Sequence, residues 1–386
     1  MIKTNFTCPL ALLSLTLAPA TAQTTGRAPI FILTADFNHD GYLDLAVANT
    51  ALSTGSISIL LGNGDGTFQP AKFLRAGYYP RSIAAADFNR DGNLDLAVAN
   101  ESPSGGSSIS IHLGNGDGTF LPPSYITAGV NPASIVAADF NADGIVDLAV
   151  ANSYQFQTNP PFKDGSISVL LGVGDGSFGP PSFFSAGGDP IFLITADFNG
   201  DGKPDLAAAN FGGTALSVSL GNGDGTFQGA TFVTVGHQPF SIASADLNND
   251  GIADLIAANH GQTSTGGSIS VSLGIGDGSF QPTKNYAAGE GTVFVAVGDF
   301  NKDGNLDLAV ADDGGPSSGG VTILLGKGNG TFQSPAFFSA GLHPQALAVG
   351  DFNRDGNPDL AVVNAGNFPN PGTVSILLGD GKGGFK

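Results

Sequence analysis

The architecture of this protein can be inferred from the nine residues DFNRDGNLD, residues 87–95. This stretch places oxygen-bearing side chains at positions 1, 3, 5 and 9 and a glycine at position 6. The other six copies are DFNHDGYLD from Asp36, DFNADGIVD from Asp139, DFNGDGKPD from Asp197, DLNNDGIAD from Asp246, DFNKDGNLD from Asp299 and DFNRDGNPD from Asp351. Seven copies of one pattern predict a protein built from repeats that each carry the same loop.

A second motif keeps the same spacing. GNGDGTF begins at Gly62, Gly114 and Gly221, and its variants begin at Gly172, Gly274, Gly326 and Gly379. Both motifs recur about every 52 residues, and seven such repeats fill residues 23–386. We therefore expect a single domain over residues 23–386.

Each repeat has the pattern of four short strands. In the second repeat, an apolar run over residues 82–87 enters the acidic loop and another over 94–99 leaves it. Residues 107–113 then alternate polar and apolar, and residues 121–128 form a weaker fourth run. The 58 glycines and 23 prolines interrupt every candidate helix. This pattern predicts an all-β, seven-bladed β-propeller of four-stranded antiparallel blades. An open solenoid is the alternative, but neither terminus supplies the polar cap that it needs.

The seventh blade has no obvious fourth strand. The chain stops at Gly384-Phe385-Lys386, where that strand should begin, and Gln23–Pro29 (QTTGRAP) has little strand character. We expect a truncated blade with an exposed edge, the alternative being that this chain is a fragment.

The acidic loop has the ligand types that calcium prefers. Acceptors at positions 1, 3, 5 and 9, with the carbonyl of position 7, can surround one ion, and the glycine at position 6 permits the turn. The position-7 side chain varies freely, as expected if only its carbonyl is used. The alternative is an Asx turn without metal, which does not explain a third carboxylate in every copy. An EF-hand is excluded because strands flank the loop and no glutamate stands at position 12.

We therefore expect about seven Ca²⁺ ions, one per repeat. The predicted ligands are Asp36, Asn38, Asp40, Tyr42 and Asp44; Asp87, Asn89, Asp91, Asn93 and Asp95; Asp139, Asn141, Asp143, Ile145 and Asp147; Asp197, Asn199, Asp201, Lys203 and Asp205; Asp246, Asn248, Asp250, Ile252 and Asp254; Asp299, Asn301, Asp303, Asn305 and Asp307; and Asp351, Asn353, Asp355, Asn357 and Asp359.

Strand parity separates two faces of the propeller. The acidic loop and GNGDGTF, which connect strands 1–2 and 3–4, lie on one face and are uniform between repeats. The connections 2–3 and 4–1 lie on the other, which we call the variable face because its loops differ in length and sequence. The residues that we expect to contact a ligand there are Tyr78, Tyr79, Arg81, Tyr154, Phe156, Phe162, Lys163, His237 and Phe240. We read GNGDGTF itself as a structural hairpin.

The segment DFNRDGNLDLAVAN, followed by SISIHLGNGDGTF, resembles the FG-GAP repeats of integrin α subunits and the bacterial FG-GAP-like (VCBS) repeats. The resemblance covers residues 23–386 and implies a seven-bladed propeller with calcium in the 1–2 loops, used in extracellular recognition or adhesion. Some polysaccharide lyases and phospholipases carry related propellers. Here Ala-Val-Ala-Asn replaces the integrin Gly-Ala-Pro, Gln69 rather than glycine follows Phe68, and every repeat has the metal motif. The bacterial branch is therefore the closer likeness.

The charge of the chain is concentrated in the acidic loops. Its formal net charge is −19, and the seven motifs hold 21 of the 33 acidic residues. With 14 basic residues and no basic stripe, the chain is not suited to nucleic acid or to an anionic lipid surface. Bound divalent ions would neutralise most of this charge.

The N-terminus has the layout of a secretory signal peptide over residues 1–22. Lys3 precedes an apolar run that ends in Ala20-Thr21-Ala22, and we expect cleavage before Gln23. The run is too short for a membrane span. Cleavage would remove Cys8, the one cysteine, so no disulfide would stabilise the mature chain. We expect a secreted monomer in the extracellular space, at the cell surface or in the periplasm.

The chain has no G-x-S-x-G, H-E-x-x-H or phosphate-loop motif, and its five histidines keep no common spacing. We therefore expect no enzyme, but a calcium-binding module for an extracellular protein or glycan. The alternative is a carbohydrate-active enzyme, such as a polysaccharide lyase or hydrolase, on the same fold.

Overall fold

The computed structural model describes residues 21–50, 55–101, 108–153, 165–261, 266–314, 319–367 and 370–386. These residues form seven four-stranded antiparallel sheets, the blades of a β-propeller, which confirms the predicted fold. No helix in this part of the chain is long and apolar enough to cross a bilayer.

The first strand of each blade lies closest to the propeller axis, because these strands contact one another around a closed ring. They are β2 (Pro29–Ala35), β6 (Pro80–Ala86), β10 (Pro132–Ala138), β14 (Pro190–Ala196), β18 (Pro239–Ala245), β22 (Thr292–Gly298) and β26 (Pro344–Gly350). Most begin with proline, which has no N–H to donate to the sheet and is therefore suited to the start of a strand.

The second strands are buried along their whole length, because each lies between the first and third strands of its own sheet and packs against a neighbouring blade on both faces. They are β3 (Asp44–Asn49), β7 (Asp95–Asn100), β11 (Asp147–Asn152), β15 (Asp205–Asn210), β19 (Asp254–Asn259), β23 (Asp307–Asp312) and β27 (Asp359–Asn364). The third strands are β4 (Ser56–Leu60), β8 (Ser108–His112), β12 (Ser166–Leu170), β16 (Ala215–Ser219), β20 (Ser268–Ser272), β24 (Gly320–Leu324) and β28 (Thr373–Leu377).

The outer strands are short and largely exposed. They are β5 (Lys72–Arg75), β9 (Ser124–Ile126), β13 (Ser182–Ser185), β17 (Thr231–Thr234), β21 (Lys284–Ala287), β25 (Ala336–Ser339) and, for the seventh blade, β1 (Thr21–Thr24).

The seventh blade is complete, so the expected truncation is wrong. β1 pairs with β28, with Ala22 opposite Ser375 and Gln23 opposite Val374. Residues 23–29, which have little strand character in the sequence, are mostly the turn into β2, whereas the pairing strand starts two residues earlier, at Thr21. The cleavage predicted before Gln23 falls inside this strand and would keep the pairs made by Gln23 and Thr24.

The core consists of apolar clusters, most of them built from two neighbouring blades. In one such cluster Ile57 and Ile59 of β4 pack with Ile83, Leu96 and Val98 of the next blade. Each second strand holds at least one fully buried alanine, and in most blades two or more, which pack with larger aliphatic residues of the adjoining blades.

The GNGDGTF segments are hairpins, as predicted. In every hairpin the first glycine and the final phenylalanine form an isolated antiparallel bridge, for example Gly62 with Phe68. Two glycines in the turn of this first hairpin, Gly64 and Gly66, have φ of 72° and 82°, a backbone conformation that favours glycine.

Candidate functional site

The acidic loop of the second blade is held by its own side chains. Asp87 accepts hydrogen bonds from the backbone N–H groups of Asp91 at 3.1 Å and Gly92 at 2.9 Å. Asn89 also accepts from the Asp91 N–H at 3.1 Å, and its amide nitrogen donates to the Asp91 carboxylate at 2.9 Å. Asp91 in turn accepts from the Asn93 N–H at 2.8 Å. The sequence pattern therefore folds locally because short acceptor side chains satisfy the amides of a tight turn.

The position-9 aspartate connects this loop to the hairpin of the same blade. The carboxylate of Asp95 is fully buried and accepts from the Phe88 N–H at 2.9 Å and the Gly114 N–H at 2.7 Å. All seven blades repeat both bonds: Asp44 with Phe37 and Gly62, Asp147 with Phe140 and Gly172, Asp205 with Phe198 and Gly221, Asp254 with Leu247 and Gly274, Asp307 with Phe300 and Gly326, and Asp359 with Phe352 and Gly379.

The position-2 residue connects each acidic loop to the next blade. The Phe88 carbonyl accepts from the Gly176 N–H at 3.0 Å, and the Phe88 ring meets the Phe178 ring edge-on at 5.5 Å between centroids. The same backbone bond occurs at every blade boundary. The bond from the Gly66 N–H to the Phe352 carbonyl joins the first blade to the seventh and so closes the ring. The acidic loops therefore contribute directly to the packing of blade against blade.

The carboxylates of each loop lie close enough to repel one another. Burial raises the pKa of Asp95, and the charges of Asp91 and Asp87 add to this rise. For Asp44, Asp254 and Asp359 the same causes raise the pKa to about 6. Such a loop gains from a positive ion that would lower the repulsion.

The donor set suits calcium in kind, because it consists of carboxylate and amide oxygens. Within the described ranges, however, no three carboxylate, imidazole or thiol groups already converge as a metal cage. An ion would therefore have to draw the loop oxygens inward from the hydrogen bonds that they make with the turn.

The described residues of the variable face fall into three sets. Arg81 and Phe240 line one pocket on the propeller axis, whereas Tyr78, which is 55 % exposed, lines a groove between β5 and β9. Tyr79 and His237 line neither. Tyr154, Phe156, Phe162 and Lys163 lie outside the described residues.

Sequence reasoning missed the other residues of the axial pocket, which include Ile30, Ile191, Val293 and Gln345. A signal existed, because each is the second residue of an innermost strand and this position changes chemistry from blade to blade.

A second missed feature is a buried carboxylate in the sixth blade. Asp312 is 1 % exposed and replaces the asparagine that ends the second strand of the other six blades. It accepts hydrogen bonds from the hydroxyls of Thr292 at 2.8 Å and Thr322 at 2.6 Å, and burial raises its pKa to about 6. In the fifth blade, by comparison, Asn259 donates to the Ser270 hydroxyl at 2.9 Å. The hydroxyls around Asp312 therefore donate to its carboxylate, whereas the serine hydroxyl in the fifth blade accepts from an amide.

The loop pattern, the hairpins and the fold agree with a comparison against known families. The FG-GAP-like repeat matches residues 36–98, 87–150, 161–208, 197–257, 254–310 and 299–362, and the FG-GAP repeat matches residues 131–170. The chain belongs to the FG-GAP-like repeat family. This membership confirms the resemblance stated from the acidic motif.

Individual relatives of this FG-GAP-like chain are distant. It is 29 % identical over 150 residues to human phosphatidylinositol-glycan-specific phospholipase D, a match that covers 32 % of this chain and 18 % of the phospholipase. Among solved structures, a proposed 6-phosphogluconolactonase from Bacteroides uniformis has a TM-score of 0.57 at 15 % identity, covering 93 % of this chain and 95 % of that one. A protein of unknown function from Desulfotomaculum acetoxidans has a TM-score of 0.53 at 11 % identity, covering 82 % and 90 %. These structures share the fold.

Proposed function

We propose that this FG-GAP-like propeller is a secreted, calcium-stabilised module that binds an extracellular protein or glycan through its variable face and carries out no catalysis. The family and the propeller fold are consistent with a binding module. The observation that carries the calcium part is the ring of seven acidic loops, each of which joins two blades while holding three mutually repelling carboxylates.

Calcium bound in a loop would supply positive charge at the point where these carboxylates repel. The side chains at positions 1, 3, 5 and 9 and the position-7 carbonyl would hold it. Because the loop also carries the contacts to the neighbouring hairpin, ordering the loop would stabilise the boundary between blades. Metal binding would then contribute to the free energy of unfolding.

The test is thermal unfolding of the protein in excess calcium and in excess chelator, with bound calcium counted by elemental analysis. We expect about seven ions per chain and a large fall in melting temperature on chelation. Magnesium is the control, because its octahedral preference suits this flexible donor set poorly. The same melting temperature in both buffers, with no bound ion, would leave the loops as metal-free Asx turns.

The binding part rests on the contrast between the two faces, since the acidic face is uniform and the variable face is not. We expect the protein to be retained by some members of a panel of polysaccharides and matrix proteins, with product detection to reveal any turnover. Retention should fall in Tyr78→Ala and Arg81→Ala and persist in Phe337→Ala, which alters an equally exposed aromatic on the outer rim. Loss in Phe337→Ala alone would place binding on the rim instead.

A further inference from the structure

A groove between the first and second blades gathers three exposed aromatic rings. Phe73 of β5, Tyr78 of the turn that follows and Tyr125 of β9 line this rim groove, and they are 58 %, 55 % and 49 % exposed. The Tyr125 hydroxyl donates to the Ala76 carbonyl at 3.5 Å, so this ring reaches from the second blade to the first. The groove encloses about 810 Å³, a volume within the range of ligand sites. Exposed rings gathered in one groove are typical of a binding surface.

The rim groove carries a positive charge. Arg75 of β5 lines it, is exposed and makes no ion pair within the described ranges, and no carboxylate stands among the described residues of the wall. His112 is buried at its base, where burial lowers the pKa of the imidazole to about 4 and leaves it uncharged at physiological pH. Asp117 of the adjoining hairpin lies outside the wall, and hydrogen bonds from Thr119, with the charge of Lys72, lower its pKa. An anion in the groove would therefore meet an unpaired guanidinium.

This lining is not a requirement of the fold, because the corresponding groove between the fourth and fifth blades differs. That groove has a similar volume, about 690 Å³. Thr234 is the fourth residue of β17, as Arg75 is of β5, and Asn285 is the second residue of β21, as Tyr125 is of β9. No lysine or arginine lines this second groove in the part of the chain that the structure describes. The combination of aromatic rings and a cation therefore belongs to one blade boundary.

The rim groove suits a glycan better than a peptide. A peptide added as an extra strand would pair with a sheet edge, but β9 has three residues, fewer than the other outer strands. The groove instead presents ring faces, on which sugar rings stack through their C–H groups, and the side chains of Ser108 and Tyr78, which can hydrogen-bond to sugar hydroxyls. A sugar carboxylate matches the planar guanidinium of Arg75, which can bind it through two parallel hydrogen bonds.

We propose that the rim groove binds a glycan that contains uronic acid. Its sugar rings stack on Phe73, Tyr78 and Tyr125, and one carboxylate pairs with Arg75. This inference rests on the proposed binding function and names the class of its ligand.

Three acidic tetrasaccharides of different stereochemistry test the proposal: those of galacturonate, of mannuronate and of hyaluronan. Calorimetric titration in calcium buffer should show that at least one of them binds. Its carboxyl-reduced counterpart should bind at least about tenfold more weakly, because the charge-assisted pair is lost. Binding of none of the three overturns the proposal. Retention of the protein by another member of the panel of polysaccharides and matrix proteins would then leave the proposed function standing.

A fluorophore locates the binding site. The chain contains no tryptophan, so Phe73→Trp places a single one in the rim groove, and its emission should change saturably with the tetrasaccharide that binds. Phe337→Trp is the matched control and should not respond, because Phe337 is the second residue of β25, as Phe73 is of β5, and is 57 % exposed. Equal responses of the two variants would refute the assignment of the site to this groove.

The role of Arg75 is tested separately. Arg75→Gln should weaken binding of the acidic tetrasaccharide by roughly tenfold to a hundredfold and leave the carboxyl-reduced one unaffected. Lys284→Gln removes another exposed cation of an outer strand, on β21, and should leave both affinities unchanged. Equal affinity of the acid for the Arg75→Gln and unsubstituted proteins would refute carboxylate recognition by this residue.

Discussion

Substituting the position-9 aspartate of an acidic loop should destabilise the fold whether or not calcium is present. Asp95→Asn keeps one oxygen and places an amide nitrogen against a buried backbone N–H, either that of Phe88 or that of Gly114. The loss of one charge-assisted hydrogen bond and the unpaired N–H together cost about 2–4 kcal/mol. Burial raises the pKa of Asp95, so removing its charge offsets part of this cost. We therefore expect the loss of unfolding free energy to lie towards the lower end of that range.

Asp91→Asn in the same loop is the matched variant. Asp91 lies at position 5, is exposed, and accepts from the Asn93 N–H and the Asn89 amide. Its substitution should lower the free energy of unfolding by less than about 1 kcal/mol in chelator and should reduce the bound calcium by about one ion.

Urea unfolding of both variants in calcium and in chelator separates these effects, provided that the slope of the unfolding curve is unchanged. Wild-type stability of Asp95→Asn in chelator would show that its two hydrogen bonds do not hold the loop to the hairpin. Equal calcium counts for Asp91→Asn and the unsubstituted protein would contradict position 5 as a ligand.

Three further outcomes follow from the structure. Burial raises the pKa of Asp312 from 3.8 to about 6, so the stability that it contributes is present below pH 4 and is lost as pH rises to 6, by roughly 3 kcal/mol. In urea unfolding measured between pH 4 and 7, Asp312→Asn should remove this loss of stability with rising pH, and Asn259→Asp should introduce a similar loss in the fifth blade. An unchanged pH profile in Asp312→Asn would contradict the raised pKa of Asp312. Deleting the chain through Thr24 removes β1 and should expose the edge of β28. The truncated protein should melt at a lower temperature and self-associate on gel filtration. A monomer of unchanged melting temperature would show that β1 is dispensable. Phe192→Ala should cost about 3 kcal/mol, because its partly buried ring packs against the rings of Phe31 and Phe294. A cost below about 1 kcal/mol in urea unfolding would mean that these three rings do not support one another.

Most of the fold was predictable because the chain repeats itself seven times. Each copy of DFNRDGNLD is a local turn whose acceptors serve their own amides, so the spacing of nine residues already implies the loop. The repeat length of about 52 residues then indicated the blades, and the alternation of polar and apolar residues indicated the strands. The seventh blade was predicted wrongly because its fourth strand, Thr21–Thr24, is about 350 residues from its partner and carries no repeat motif.

In the candidate site too, features that depend on neighbours along the chain were predictable, and contacts between distant segments were not. The sequence alone determined which residues sit at positions 1, 3, 5 and 9, since these depend on neighbours along the chain. Three contacts could be found only in the folded chain: Asp95 is a buried link to Gly114, Phe88 bonds across to the next blade, and Arg81 and Phe240 meet at one axial pocket. These contacts join segments many residues apart, and their geometry exists only once the ring of blades has closed.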